Sequence, residues 1–169
     1  RSILAAAPHP DTAALRGALA DNPNYAVELF LPAKLQGMTA AQFKDYNLVV
    51  LHGLPSAVAP NVSTLVAQLT AQLPTLFIVG PQTDLGRLNA LHAGLEIVAR
   101  TRKTDEVTAT RNTAFSLFTL DDDLGRRIEQ LPPLQAPFGD YRMAANMQTL
   151  FGATLGGVAT PPALTALRS

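Results

Sequence analysis

The chain has 169 residues, in which 13 lysine and arginine residues balance 13 aspartate and glutamate residues, so its formal net charge is zero. It lacks the basic cluster that nucleic-acid or anionic-lipid binding requires, and we predict no nucleic-acid partner. The absence of cysteine excludes disulfides, thiolate nucleophiles and cysteine-ligated zinc. No apolar run approaches the roughly 20 residues of a membrane span, so we expect no membrane insertion by this segment.

The first half of the chain alternates short apolar runs with amphipathic stretches. The apolar runs predict strands at residues 2–7, 25–31, 47–52, 73–79 and 95–98. Between them, Thr39 is a suitable cap for a helical turn, Pro60 suits a first helical turn, and residues 65–73 have helical apolar spacing. This alternation predicts the α/β class, with a doubly wound, mainly parallel sheet flanked by helices in a single domain over residues 1–169.

The continuous apolar run within residues 73–79 follows Pro74 and ends at Gly80-Pro81, and it predicts a strand buried on both faces in the middle of the sheet. Ligands of open α/β sheets bind at the carboxyl ends of the strands. The candidate ligand-binding residues are therefore the polar ones at or just after the carboxyl ends of predicted strands. They are His9, Asp11, His52, Gln82, Thr83 and Asp84.

A purely structural role remains an alternative for these residues. Thr83 and Asp84 suit the N-terminus of the helix that follows them, and Gln82 can satisfy the amides of its own turn. Asp11 can cap the first helix in the same way. The run 121–123 of three aspartates lacks the alternating ligands of a calcium loop and indicates a helix start.

The second half of the chain has a different pattern. Residues 101–112 are polar, with Val107 and Ala109 alternating along them. The remaining pattern predicts a short strand at 115–118, a helix at 121–131, an irregular connection at 132–140, and strands at 147–155 and 163–167. With glycine and proline pairs between them, we expect the last two strands to form an antiparallel addition at the edge of the parallel sheet.

A histidine-containing motif follows the first predicted strand. Ala7-Pro8-His9-Pro10-Asp11 resembles the opening of the zinc-dependent LmbE-like deacetylases, Pro-His-Pro-Asp-Asp-Glu after a strand. The resemblance implies a metal ligand at His9 and a base at Asp11. Here Thr12 and Ala13 replace the two further acidic residues, and the downstream His-x-x-His of that family is absent. Because zinc needs three converging protein ligands, we predict no metal, and a deacetylase is the least favoured alternative.

Two other segments resemble the class I glutamine amidotransferase-like fold, a flavodoxin-like α/β architecture, and this resemblance extends over the whole chain. They are residues 45–55 (DYNLVVLHGLP) and 74–82 (PTLFIVGPQ). In that family the second segment is the strand and elbow that carry the nucleophilic cysteine. The alignment puts Val79 at the nucleophile position, and no histidine follows His92. A Cys-His-Glu triad needs both groups, so the resemblance implies the fold without its chemistry, and we predict no catalytic residue.

The resemblance extends to uncharacterised amidotransferase-like domains of larger, membrane-anchored bacterial proteins. We therefore predict a non-catalytic interaction or scaffold module, cut from a longer protein of the bacterial envelope. Its expected partners are other proteins or other domains of the parent chain, and the module itself is expected to be a monomer or weak dimer without a cofactor. A small-ligand binder or hydrolase that uses the carboxyl edge of the sheet is the open alternative.

Overall fold

The structure, a computed structural model, describes residues 2–166, with side chains described for all of them except residues 2, 102–103 and 160–166. The chain divides into two units, Arg1–Ala93 and Gly94–Ser169, and each has its own β-sheet. The assignment of all 169 residues to a single domain stays a prediction. Within the described residues, no helix combines the length and the apolar character that crossing a membrane requires.

Unit 1 (residues 1–93) is an α/β unit with four parallel strands, as the alternating pattern predicts. Its elements are β1 (Ser2–Ala5), α1 (Pro10–Ala20), β2 (Glu28–Phe30), α2 (Pro32–Leu35), β3 (Val49–His52), α3 (Ser63–Gln72), β4 (Thr75–Ile78) and α4 (Leu85–Asn89), with 3-10 turns at Ala40–Phe43 and Pro60–Val62. The strands pair in the order β2-β1-β3-β4.

Strands β1 and β3 form the centre of this unit because side chains on both of their faces are buried. Leu4 and Leu51 lie in the same apolar cluster as Val66 of α3, while Ile3 and Val50 point to the opposite face and are also 0% exposed. The helical apolar spacing predicted for residues 65–73 is confirmed, since the buried residues of α3 are Leu65, Val66 and Leu69. Leu73, at the end of that range, is half-buried and packs against the same cluster.

The prediction that residues 73–79 form a central strand is wrong. Among residues 2–166, β4 pairs with β3 alone and is the outer strand of the sheet. Its side chains are less covered than those of β1 and β3, and Leu76 is 39% exposed. A short continuous apolar run does not distinguish a strand with two neighbours from a strand with one.

We expect Leu51→Ala to lower the free energy of unfolding of unit 1 by about 2–5 kcal/mol, because it leaves a cavity in a fully buried site. Leu76→Ala, on the outer strand, should cost about 1 kcal/mol or less. Hydrogen exchange of the β1 and β3 amides measures this stability within unit 1. Equal losses for the two variants would contradict the outer position of β4.

Unit 2 (residues 94–169) contains a separate antiparallel sheet, so the expected addition to the edge of the parallel sheet is wrong. Its elements are β5 (Leu95–Arg111), α5 (Asp122–Glu129), β6 (Leu134–Met143), β7 (Gln148–Leu155) and β8 (Val158–Ala166). Its strands pair in the order β6-β5-β7-β8, with all three pairs antiparallel. The predicted helix after residue 121 and the predicted strand at 147–155 are confirmed.

Three assignments in unit 2 need correction. Residues 95–98 and the polar stretch 101–112 fall largely in one strand, β5. The predicted strand at 115–118 is instead irregular, because the Asn112 side chain accepts a hydrogen bond from Ala114 N–H and starts a turn (3.1 Å).

The third correction concerns the proline-containing segments, which were expected to be connections. Pro137 lies within β6, and Pro161 and Pro162 lie within β8, where the strand starts five residues earlier than predicted, at Val158 rather than 163. Residue 167, the predicted end of that strand, lies outside the described residues. Both strands are outer strands of their sheet, where the missing N–H of proline is tolerated.

Gly139 of β6 lies against β5 so closely that a side chain cannot fit. A Cβ at this position would overlap the carbonyl oxygen of Val98 and lie 2.8 Å from the Cα of Ala99. At Gly152 of β7, the nearest atom to a Cβ is the Thr110 hydroxyl oxygen at 3.5 Å, which is an ordinary contact.

We therefore expect Gly139→Ala to destabilise the β5–β6 pairing by about 1–3 kcal/mol, as overpacking does, and Gly152→Ala to have a much smaller effect. Hydrogen exchange of the amides in β5 and β6 measures the difference. Unchanged protection in Gly139→Ala would show that the two strands do not pair in the register described.

Candidate functional site

The order of the parallel strands reverses at one point in unit 1. Strand β2 lies on one side of β1, while β3 and then β4 lie on the other side of β1. Parallel crossovers are right-handed, so the connections that leave β1 and β3 run along opposite faces of the sheet. Such a reversal opens a crevice at the carboxyl ends of the two strands, which is where ligands of open α/β sheets bind.

His52 is the last residue of β3, and the neighbouring strands fix its backbone on both sides. Its carbonyl accepts a hydrogen bond from Ala6 N–H (3.0 Å), and the N–H of Gly53 donates to the Ile78 carbonyl (2.9 Å). Gly53 has a φ of +67°, and a Cβ there would lie 3.4 Å from the Cβ of Ala6. Glycine at this position lets the chain turn directly after His52, whose side chain is 14% exposed.

His9 and Asp11 are held by the start of helix α1. His9 is the N-cap, with extended backbone geometry, and its Nδ1 accepts a hydrogen bond from Asp11 N–H (3.2 Å). The carbonyl of His9 accepts from the buried Thr12 hydroxyl (2.7 Å), and Pro10 opens the helix. The prediction that Asp11 caps this helix is wrong: Asp11 lies in the first turn, where its charge is favourable at the positive end of the helix dipole.

The fold brings these three side chains together, and we call them the His-Asp-His cluster (His9, Asp11 and His52). Oδ2 of Asp11 lies 3.3 Å from Nδ1 of His9 and 3.5 Å from Nε2 of His52. The two imidazole rings are 5.1 Å apart between centroids and tilted by 35°. The side chains of His9 and Asp11 are 49% and 65% exposed, so the cluster is open to solvent on one side.

The other three predicted residues, Gln82, Thr83 and Asp84, lie in the loop after β4. The Thr83 hydroxyl accepts a hydrogen bond from Gly80 N–H (3.1 Å). The Asp84 carboxylate caps α4 by accepting from Arg87 N–H (3.0 Å) and also pairs with the Arg87 guanidinium (3.3 Å). Both side chains therefore stabilise their own turn, which confirms that Asp84 is a helix cap.

Gln82 is exposed and lies beside the corner that follows His52. A Cβ built on Gly53 would be 3.8 Å from the Cβ of Gln82. The loop is held there by the hydrogen bond from Asp84 N–H to the Pro55 carbonyl (2.8 Å) and by an isolated bridge between Ser56 and Thr83. Gln82 is therefore the residue of this loop that is placed to contribute to the same edge as His52.

A second polar depression lies at the opposite, amino-terminal edge of the sheet, and no pattern in the sequence predicts it. It is lined by residues just before or at the start of β2 and β3, among them Glu28, Asp45 and Tyr46. Burial and a hydrogen bond with Glu28 raise the pKa of the Tyr46 phenol to about 12. The phenol therefore stays neutral at physiological pH and serves as a hydrogen-bonding group of this edge.

In unit 2, the aspartates at 121–123 start α5, as predicted. Asp121 is the N-cap, and its carboxylate accepts hydrogen bonds from the N–H groups of Asp123 (2.9 Å) and Leu124 (3.1 Å). Asp122 instead pairs with Arg111 at the end of β5, and this hydrogen-bonded guanidinium lowers the pKa of the Asp122 carboxyl. These side chains join the helix to the sheet of unit 2.

No protein-family model, no curated protein and no solved structure matches this chain.

We expect Asp84→Ala to lower the free energy of unfolding of unit 1 by about 1 kcal/mol, because it removes the cap of α4. Asp84→Asn retains an oxygen that can accept from Arg87 N–H and should lose less. Urea unfolding followed by far-UV circular dichroism compares the two variants. If Asp84→Asn and Asp84→Ala lower the free energy of unfolding by the same amount, the capping hydrogen bond does not contribute to stability.

Proposed function

We propose that this chain is a small-ligand-binding module in which the His-Asp-His cluster forms the binding edge. The observation that supports this proposal best is the position of the cluster. His9 and Asp11 follow β1, His52 ends β3, and the strand order reverses between those two strands. Two imidazoles and a carboxylate at the reversal offer both donors and acceptors to a small polar molecule.

The strand order also supports the finer fold assignment that the sequence resemblance implies. The order β2-β1-β3-β4 is that of the first four strands of a flavodoxin-like sheet, in which the ligand lies at the reversal between the first and third strands. We propose that unit 1 is a flavodoxin-like, amidotransferase-like domain on this ground. Val79 and Gly80 occupy the elbow positions that the resemblance implies, and neither has a nucleophilic side chain. Amidotransferase chemistry is therefore not part of the proposal.

A non-catalytic interaction or scaffold module of a larger bacterial envelope protein is the second candidate. The observation that favours it is the structural use of the loop after β4, where Thr83 and Asp84 are both engaged within their own turn. In this case the partners are other proteins or other domains of the parent chain, and the module is a monomer or weak dimer. The histidines then serve only to cap α1 and to end β3.

A thermal-shift screen of the 169-residue chain against amino acids including glutamine, nucleotides and simple sugars tests the proposal. It is run once with Zn²⁺ and once with EDTA. A compound at a hundred times its dissociation constant adds about 2.7 kcal/mol of stability, which raises Tm by roughly 5–10 °C in a chain of this size. We expect at least one compound to do so, and His52→Gln to abolish the shift.

His92→Asn is the matched control, because it removes a histidine of unit 1 outside the cluster. His92 has a φ of +50°, a conformation that asparagine tolerates better than alanine. This variant should retain the shift. A shift that survives His52→Gln would place the binding site elsewhere, and the absence of any shift would favour the scaffold module.

A further inference from the structure

We propose that the His-Asp-His cluster binds a divalent transition-metal ion of the Zn²⁺ type and presents its open coordination positions to a small oxygen ligand. This inference rests on the proposed function, since it names what the edge between β1 and β3 binds. Among the residues whose side chains are described, no other group of three histidine, aspartate or glutamate side chains brings its ligand atoms this close together.

The distances within the cluster fit a metal ion better than they fit direct hydrogen bonds. Zinc lies about 2.0–2.2 Å from its nitrogen and oxygen ligands, so tetrahedral geometry separates neighbouring ligand atoms by about 3.3–3.5 Å. Oδ2 of Asp11 lies 3.3 Å from Nδ1 of His9 and 3.5 Å from Nε2 of His52. The ligand atoms of all three residues are within 4.8 Å of one another, so they surround one point at which an ion can sit.

The donor set selects the class of metal. Two imidazole nitrogens and one carboxylate oxygen suit Zn²⁺ and similar transition metals, whereas Ca²⁺ and Mg²⁺ are held by oxygen ligands. With neutral imidazoles, the cluster carries one negative charge from Asp11, and this charge attracts a cation. Three protein ligands leave at least one position open, and the exposure of His9 and Asp11 places that position on the solvent side.

The backbone holds the three ligands in place before any ion is bound. His52 is fixed between β1 and β4 by hydrogen bonds on both sides, and His9 and Asp11 are fixed by the first turn of α1. Nδ1 of His9 already accepts a hydrogen bond from Asp11 N–H, so its lone pair is on the side of the ring that faces Asp11. Binding through Nδ1 therefore exchanges that hydrogen bond for the metal, without moving the backbone.

Isothermal titration of the tag-free 169-residue chain with ZnCl₂ tests the inference, with MgCl₂ as the comparison ion. We expect one Zn²⁺ per chain and no Mg²⁺ binding. His9→Asn keeps a side chain that can cap α1 but removes the imidazole, and His52→Gln and Asp11→Asn keep the side-chain size. Each substitution should weaken Zn²⁺ binding by at least about tenfold, the lower limit for losing even an outer-shell partner of a metal site.

His92→Asn is again the matched control and should bind Zn²⁺ as the unchanged chain does. Co²⁺ provides a second readout, because its visible absorption becomes intense in four-coordinate sites, and the band should disappear in His52→Gln. A chain without stoichiometric Zn²⁺ binding, or cluster variants that bind as tightly as His92→Asn, would overturn the inference.

The experiment separates this inference from the proposed function. An organic compound that stabilises the chain in EDTA, in a manner that depends on His52, together with no Zn²⁺ binding in the titration, would support the binding edge and overturn the metal inference. Stoichiometric Zn²⁺ binding at the cluster, with no stabilising compound in either buffer, would support the metal inference and contradict the proposal that this edge binds a small organic molecule.

Discussion

The reversal of strand order between β1 and β3 is the constraint on which the arrangement of unit 1 depends. Both strands are central, with side chains on both faces buried, so each needs a covering layer on each side. Right-handed crossovers provide these two layers, because the connections that leave β1 and β3 run along opposite faces of the sheet. The chain therefore leaves β1 and β3 toward opposite faces of the sheet, and the side chains of His9, Asp11 and His52 meet at this point.

The strands of unit 1 could be predicted from the sequence because apolar runs identify buried strands with little regard to their neighbours. The position of each strand in the sheet could not. Residues 73–79 are as apolar as residues 47–52, yet β4 is an outer strand and β3 a central one, and this difference depends on pairing with distant segments. In unit 2 the prolines predict connections where the structure has strands, because an outer strand accepts proline and a central strand does not.

The sequence likewise predicts which residues belong to the candidate site but not which of them are in contact. All six residues are predicted from their position at or just after the ends of predicted strands. Which of them are in contact depends on the register of β1 on β3. Ala5 pairs with His52 in that register, so the ends of the two strands are level and His9 and Asp11 lie beside His52. The motif around His9 contains two of the three members of the cluster, and the third is supplied by a strand more than 40 residues later in the chain.

The place of the cluster bears on the resemblance to amidotransferases. In that family the resemblance implies a nucleophile directly after the strand that corresponds to β4, where this chain has Val79 and Gly80. The loop there is held by its own hydrogen bonds, through Thr83 and Asp84. The His-Asp-His cluster, which we propose as the binding edge, lies one strand away, at the reversal beside β3. The meeting of His9, Asp11 and His52 therefore depends on the order of β1 and β3 and on no residue of the loop after β4, so it does not require a cysteine there.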